Sequence, residues 1–212
     1  MAMPAPHLPL SLPTSTPAPL PPSPAVQPVA LPARAAELVQ QLGLAPHPEG
    51  GFYREIFRSA GQVQADGQRP KRAAMTSIDF LLGPGQFSAW HRVRSDEVWH
   101  LLEGSGLRLW LMPPTLDAVY TVLLGSVALE RRPRHVVPAD WWQAAEPVAD
   151  SVRVALADSV AGSLADPADA YAYVGATVAP GFDFADFAFG RDDANFTAAL
   201  DTARRADLRR LL

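Results

Sequence analysis

The sequence predicts an all-β domain of jelly-roll type with a short helix at each end, and two observations lead to that prediction. Ten short apolar runs between residues 52 and 178 are separated by Gly, Pro, Asp or Ser, as in a small sandwich or barrel. The chain has 212 residues, 48% of them hydrophobic and 19% charged, which suits one core of ordinary size.

Local patterns place each element. Residues 35–42 are predicted as a helix, because the glycine Gly43 follows the last apolar position. A helix capped by Asp192 or Asn195 is predicted from Thr197 to Leu212. The predicted strands span residues 52–57, 73–82, 85–91, 97–102, 107–112, 118–124, 135–138, 142–145, 152–157 and 171–178.

Residues 1–33 form a segment of different composition. They contain eleven of the 22 prolines and no Asp, Glu, Lys or Arg. Such a composition favours a disordered tail, so truncation at Arg34 is expected to leave the melting temperature nearly unchanged. The domain proper is then predicted at residues 34–190 and the final helix within 191–212.

Composition also limits the partners. A net charge of −4 gives no basic field for nucleic acid, and no apolar run approaches the length of a membrane span. The absence of cysteine excludes thiolate metal sites and cysteine nucleophiles. The expectation is a cytoplasmic protein whose partner is a small molecule.

Two spaced motifs stand in the middle of the chain. Residues 85–104 carry Gly-x5-His91-Arg-Val93-x3-Glu97-x6-Gly, which resembles the first cupin signature, G-x5-H-x-H-x3/4-E-x6-G, with Val93 for the second histidine. Residues 138–143 fit the second signature, P-x-G-x2-H, with Asp140 for the glycine and Gln143 for the histidine. The resemblance implies the cupin double-stranded β-helix, a jelly-roll barrel.

The same motifs bear on cofactors. A usual cupin metal centre has three His and one Glu, and here only His91 and Glu97 remain. The isopropyl group of Val93 cannot ligate a metal, and the amide oxygen of Gln143 is a weak donor for a transition metal. We therefore expect no cofactor and no stoichiometric metal, with weak divalent binding left open.

Further segments resemble the cupin_5 family, also called DUF985. The resemblance runs in order from about Leu38 to Phe189. It implies a largely uncharacterised family, with a fold similar to that of the nucleotide-sugar epimerases related to rhamnose synthesis. The segments are HPEGGFYRE at 47–55, TSI at 76–78, SDEVWH at 95–100 and PGFDFADF at 180–187.

Strand alternation predicts which residues share the barrel interior. If Glu97 points inward, so do Trp99 and Leu101, whereas Val98, His100 and Leu102 face outward. The predicted pocket floor consists of His91, Val93, Glu97, Trp99 and Gln143. Such a mixture of apolar walls and a few polar groups suits a small organic ligand.

The candidate catalytic residues are His91, Glu97 and Tyr53, and the candidate ligand-binding residues are Glu49, Trp99, Gln143 and Thr76. Tyr53, Glu49 and Thr76 are included because they lie in the segments that resemble the cupin_5 family. The alternative for His91 and Glu97 is a buried structural hydrogen-bond pair.

Three functions stay open at this point. The first is a metal-independent enzyme of epimerase or isomerase type acting on a carbohydrate-like or nucleotide-sugar substrate, because epimerisation needs an acid and a base across a pocket. The second is a non-catalytic binder of small ligands, and the third a metal-dependent cupin enzyme. The resemblance also implies a homodimer, with Val98 and Leu102 as candidate contacts.

Overall fold

A computed structural model describes residues 30–64, 67, 69–148, 169–201 and 205–212. Two α-helices, three 3-10 helices and fourteen strands lie in these ranges. The helices are α1 (Ala33–Leu42), α2 (Ala194–Leu200) and the 3-10 helices Phe184–Asp186, Gly190–Asp192 and Ala206–Leu211. The strands are β1 (Ala45–Pro46), β2 (Phe52–Arg58), β3 (Gln62–Val63), β4 (Arg72–Ala73), β5 (Thr76–Leu82), β6 (Ser88–Val93), β7 (Asp96–Gly104), β8 (Leu107–Met112), β9 (Tyr120–Leu124), β10 (Arg131–Arg132), β11 (Arg134–Val137), β12 (Trp142–Pro147), β13 (Ala172–Ala179) and β14 (Phe187–Phe189).

Two six-stranded sheets form a sandwich. The first sheet has the order β1-β2-β5-β13-β7-β11 and the second β10-β9-β8-β12-β6-β14, while β3 and β4 form a separate hairpin. No strand of the described ranges belongs to both large sheets, so the barrel is not closed. The arrangement confirms the predicted all-β jelly-roll class.

The main core lies between the two sheets. Inward positions of β5, β7 and β13 meet those of β8 and β12, because alternate residues of a strand share one face. The buried residues of this core include Phe80, Trp99, Leu109, Leu111 and Val174. A cavity remains at one end, where the inward side chains become polar.

Helical segments cover the outer face of each sheet. Leu38 of α1 packs near Leu81 on the first sheet, and Gly43 ends this helix in the left-handed conformation. On the second sheet, Phe196 and Leu211 pack with Trp142. The sandwich is therefore a four-layer structure, in which only the central layer pair encloses the cavity.

The predicted helix at 35–42 and nine of the predicted strands are found, with shifted ends. The tenth strand prediction, at residues 152–157, lies outside the described residues. The prediction of one helix from Thr197 to Leu212 is wrong: α2 ends at Leu200, and a 3-10 helix spans Ala206–Leu211. The cap is Asp193, whose carboxylate accepts hydrogen bonds from two backbone N–H groups.

The turn before β12 explains one departure from the second signature. Asp140 occupies the glycine position with a φ of 65°. Asp and Asn tolerate this left-handed conformation better than other non-glycine residues, because a short polar side chain can hydrogen-bond locally. The backbone N–H of Asp140 donates to the carbonyl of Val93 at 2.8 Å, which ties the two signatures together.

Two residues that precede Arg34, Leu31 and Pro32, already contact the folded domain. Leu31 packs against the cluster beneath α1, and the carbonyl of Pro32 accepts a hydrogen bond from Ala36 at 2.9 Å. Truncation at Arg34 is now expected to cost roughly 1 kcal/mol, or a few degrees in melting temperature. A chain beginning at Ala30 should melt like the full-length protein in differential scanning calorimetry. Equal loss in both truncated chains would show that residues 1–29 stabilise the domain.

The outer face of β7 carries the candidate dimer contacts. Of the two predicted contacts, Leu102 is 55% exposed and Val98 is half-buried; Val136 of the neighbouring edge strand β11 is a further exposed residue, at 51%. Burying exposed apolar side chains stabilises an interface between two subunits, so we still predict a homodimer. Light scattering at micromolar concentration should give a dimer mass, reduced to a monomer mass by Leu102→Glu. Leu129→Glu, at an exposed loop position elsewhere, is the matched control, and a monomeric wild-type protein would contradict the prediction.

None of the helices in the described ranges combines the length and apolar character that crossing a membrane requires.

Candidate functional site in the cavity between the sheets

A cavity of about 510 Å³ opens between the inner face of the first sheet and strand β6. Its volume lies within the usual range for sites of small ligands. The loop after β13 forms part of its rim. The lining side chains are His47, Glu49, Tyr53, Glu55, Arg58, Thr76, Ile78, Phe80, His91, Val93, Glu97, Trp99, Ala176, Val178, Phe182, Asp183 and Phe184.

A buried hydrogen-bond network fixes the orientation of Gln143. The indole Nε1–H of Trp99, which can only donate, lies 3.0 Å from Oε1 of Gln143. The amide nitrogen of Gln143 therefore faces the other way, 3.0 Å from Nε2 of His91 and 2.5 Å from Oε2 of Glu97. Both amide protons are used, one for each of these acceptors.

This orientation sets the tautomer of His91. Its Nδ1 lies 2.7 Å from the carbonyl oxygen of Ala89, so Nδ1 carries the proton and donates it. Its Nε2 accepts from Gln143 and is unprotonated. Burial lowers the pKa of His91, although the nearby Glu97 acts in the opposite direction. His91 is therefore a neutral imidazole with both ring nitrogens engaged within the protein.

The pKa of Glu97 is raised, whereas that of His91 is lowered. Burial raises the pKa of its carboxyl group to about 7, while His91 and the hydrogen bond from Gln143 lower it and Glu49 adds a further rise. Only Oε2 accepts a hydrogen bond from the described residues; Oε1 is left on the cavity side. A carboxyl group in this state can both accept and donate a proton near neutral pH.

A second carboxyl group enters from the loop between β1 and β2. Oε2 of Glu49 accepts a hydrogen bond from Ser88 at 2.9 Å and lies 3.4 Å from Nδ1 of His91. Burial raises the pKa of Glu49, with His47 opposing the rise. Gly50 allows this placement: its φ is 115°, and a Cβ there would lie 2.1 Å from the carbonyl oxygen of Phe87.

His47 is a further lining residue with a defined tautomer. The backbone N–H of Glu49 donates to its Nδ1 at 3.2 Å, so the proton of the neutral ring is on Nε2. Burial lowers the pKa of His47. The ring packs edge-on against Tyr53, with 4.4 Å between ring centroids. The neutral ring of His47, a residue that lines the cavity, can therefore donate a hydrogen bond only through Nε2.

The rim carries charges that neutralise one another. Arg58 donates to both carboxylate oxygens of Glu55 and to the carbonyl oxygen of Phe182. Asp183 caps the following 3-10 helix by accepting from Ala185. Thr76 anchors the same loop, because its hydroxyl oxygen accepts from the backbone N–H of Phe182 at 2.9 Å.

The structure brings most of the predicted site residues together. His91, Glu97, Tyr53, Glu49, Trp99 and Thr76 all line the cavity. Gln143 does not: it is 1% exposed and lies behind His91 and Glu97, where it orients them. The alternation prediction holds for Glu97 and Trp99, which point inward, and for His100, which does not line the cavity.

Four titratable or charged lining residues were not predicted from the sequence: His47, Glu55, Arg58 and Asp183. His47 and Asp183 stand inside segments that carry the family resemblance, so their position next to Glu49 and Phe182 was an available signal. Arg58 had no such signal. A bulge in β2 between Glu55 and Phe57 changes the alternation there, and Arg58 turns inward as a result.

The donor set does not fit the cupin metal. Val93 lines the cavity where a ligand would stand, and Gln143 presents its amide N–H groups, not its oxygen, to His91 and Glu97. Protons directed at the ligand position oppose a cation there. No three His, Asp or Glu side chains of the described ranges are grouped so as to hold a metal ion.

The fold and site define a jelly-roll protein of cupin type with a polar cavity and a degenerate metal position. The family model "Cupin superfamily (DUF985)" matches residues 36–190, and the chain belongs to this family.

Two solved structures are similar over most of their length. A hypothetical protein from Leishmania major is 28% identical with a TM-score of 0.64, covering 82% of this chain and 97% of that one. A protein from Shewanella oneidensis is 28% identical with a TM-score of 0.61, covering 84% of this chain and 96% of that one. No match was found among curated proteins.

Proposed function

We propose that the cavity binds a small, carbohydrate-like molecule and that Glu97 transfers a proton to or from a carbon atom next to a carbonyl group, without a metal. The observation that carries this proposal is the carboxyl group of Glu97. It is 7% exposed, held by Gln143 through one oxygen and open to the cavity through the other.

The proposed reaction is an epimerisation or isomerisation. The carboxylate of Glu97 takes the C–H proton, and the resulting enolate is reprotonated by an acid on another wall. Tyr53 of β2 and His47, which both line the cavity, are the candidate acids. Solvent then resets both groups. A pKa of about 7 suits Glu97 to this exchange, because a catalytic group works best near the operating pH.

His91 has a positioning role in this proposal. Its two nitrogens are occupied by Ala89 and Gln143, so a substrate proton would have to displace the amide of Gln143 to reach Nε2. Its neutral ring stacks on Phe187 at 5.5 Å and forms a rigid wall beside Glu97. His91→Gln should therefore reduce turnover less than Glu97→Gln does.

Hydrogen–deuterium exchange at carbon tests the proposal directly. Neutral sugars, amino sugars and nucleotide sugars are incubated with the protein in D₂O, and loss of a C–H signal is followed by proton NMR. Thermal shift on the same set reports binding. We expect stabilisation and exchange with at least one class, and no exchange with Glu97→Gln. Glu130→Gln, at an exposed glutamate outside the cavity, is the control.

The non-catalytic binder is the second candidate, favoured by the full use of both His91 nitrogens inside the protein. Stabilisation by a sugar without any exchange at carbon would select it. A set of sugars that neither bind nor exchange would contradict both candidates.

A further inference from the structure

The charges of the cavity point to the class of ligand. The described lining contains four carboxyl groups, those of Glu49, Glu55, Glu97 and Asp183, against the single guanidinium of Arg58. His47 and His91 add no positive charge, since each is a buried neutral ring. The cavity therefore holds more acidic than basic side chains; burial raises the pKa of Glu97 and Glu49, and a bound cation favours the ionised form of both.

Arg58 is not free to compensate. Its Nε and Nη2 donate to Glu55 at 3.0 and 2.6 Å, and its Nη1 donates to the carbonyl oxygen of Phe182 at 3.1 Å. A phosphate or diphosphate group needs several charge-assisted donors, typically from arginine, lysine or a helix N-terminus. The lining offers one arginine that already has an anionic partner, so a phosphorylated ligand would find no unpaired cation in the described lining and would be repelled wherever Glu49 or Glu97 is ionised.

One carboxyl oxygen of Glu97 and one of Glu49 receive no hydrogen bond from the described residues. Glu97 is more than nine-tenths buried, and no group of the described residues donates to its Oε1. Glu49 is in the same state, because Ser88 donates to its Oε2 only. Neither Oε1 is a buried atom without a partner, so each can be reached from the cavity and can accept a hydrogen bond from a donor group of the ligand.

Aromatic rings complete the environment. The lining includes Tyr53, Phe80, Trp99, Phe182 and Phe184. Their π-faces attract a cation electrostatically and gain strength when water is excluded. Carboxylates beside aromatic faces are the surroundings in which a protonated amine is most strongly favoured over a neutral or anionic group.

We infer that the ligand carries a protonated amine, seated between Glu97 and Glu49 against the aromatic wall, and that phosphorylated ligands, including nucleotide sugars, are excluded. This inference rests on the proposed function and narrows its substrate class to amino-substituted, carbohydrate-like molecules.

Three hexoses that differ in one substituent test it. Binding of D-glucosamine, D-glucose and D-glucose 6-phosphate is measured by calorimetry on the full chain at a pH where the amine is protonated. A second pair, choline and its neutral isostere 3,3-dimethylbutan-1-ol, separates charge from the sugar scaffold. We expect each cation to bind about tenfold more tightly than its neutral partner and the phosphate not to bind.

Glu97→Gln should reduce this preference to less than threefold, since the amide keeps the shape but not the charge. Glu130→Gln should leave it unchanged. Equal or tighter binding of glucose or of the phosphate would overturn the inference while leaving the proposed function standing. Binding of none of the five probes would overturn both, and a preference that survives in Glu97→Gln would overturn the assigned seat.

Discussion

Replacing Val93 and Gln143 together by histidine is expected to create a metal centre, whereas we expect none in the wild-type protein. Both positions lie beside His91. Val93 is the next residue on the inner face of β6, and Gln143 of the neighbouring strand β12 is paired directly with His91. Glu97 completes the three-His, one-Glu set. Elemental analysis after dialysis against zinc should give about one equivalent for the double variant and none for the wild type.

The expected effect is large. Micromolar or tighter zinc binding corresponds to about 8 kcal/mol, and it should raise the melting temperature by mass action. The apo double variant should be less stable than wild type by roughly 1–3 kcal/mol, because Trp99 loses its acceptor on Gln143. Adding His91→Ala to the double variant should abolish binding. One equivalent of metal surviving dialysis in the wild type would contradict our account of Gln143.

Glu97→Gln is expected to stabilise the protein at pH 8 and to reduce the proposed activity strongly. Because the pKa is about 7 in the folded state against an ordinary 4.5, ionising Glu97 at pH 8 costs the fold on the order of 3 kcal/mol. Glutamine avoids that cost and still offers Gln143 an acceptor. Turnover of any substrate found by deuterium exchange should fall by about 10²–10⁴.

The sign of the pH dependence follows from the raised pKa. Below pH 4.5 the carboxyl group is protonated in both states and contributes no penalty. The penalty grows as pH rises from 4.5 to about 7 and is complete above it. The stability difference between Glu97→Gln and wild type should therefore be large at pH 8 and near zero at pH 4.5, as measured by denaturant unfolding.

Two histidines act in the opposite sense in both proteins. The pKa values of His47 and His91 are lowered, so the stability they contribute is lost as pH falls below 6.5. Because both proteins contain the two histidines, most of the histidine contribution cancels when their free energies of unfolding are compared at the same pH. If Glu97→Gln is less stable than wild type at pH 8 and ligand affinity is unchanged, Glu97 and His91 are a structural pair.

Much of the fold could be predicted from the sequence because it is determined locally. Turn residues and period-two alternation located the strands, and alternation from Glu97 to Trp99 gave the inward face of β7. The C-terminal segment was predicted less well. Its apolar spacing suits a continuous helix, but the chain changes from α2 to a 3-10 helix, whose Leu208 and Leu211 pack on the second sheet.

By itself the sequence determined the fold class, the family, the two departures from the cupin signatures and seven of the seventeen lining residues, because motif spacings and strand alternation are properties of neighbouring positions. The tertiary structure decided the chemistry of those residues. The direction of the Gln143 amide depends on Trp99, the tautomer of His91 on Gln143 and Ala89, and the pKa of Glu97 on burial. These partners lie on different strands or loops, and only the packed sandwich brings them within hydrogen-bond distance.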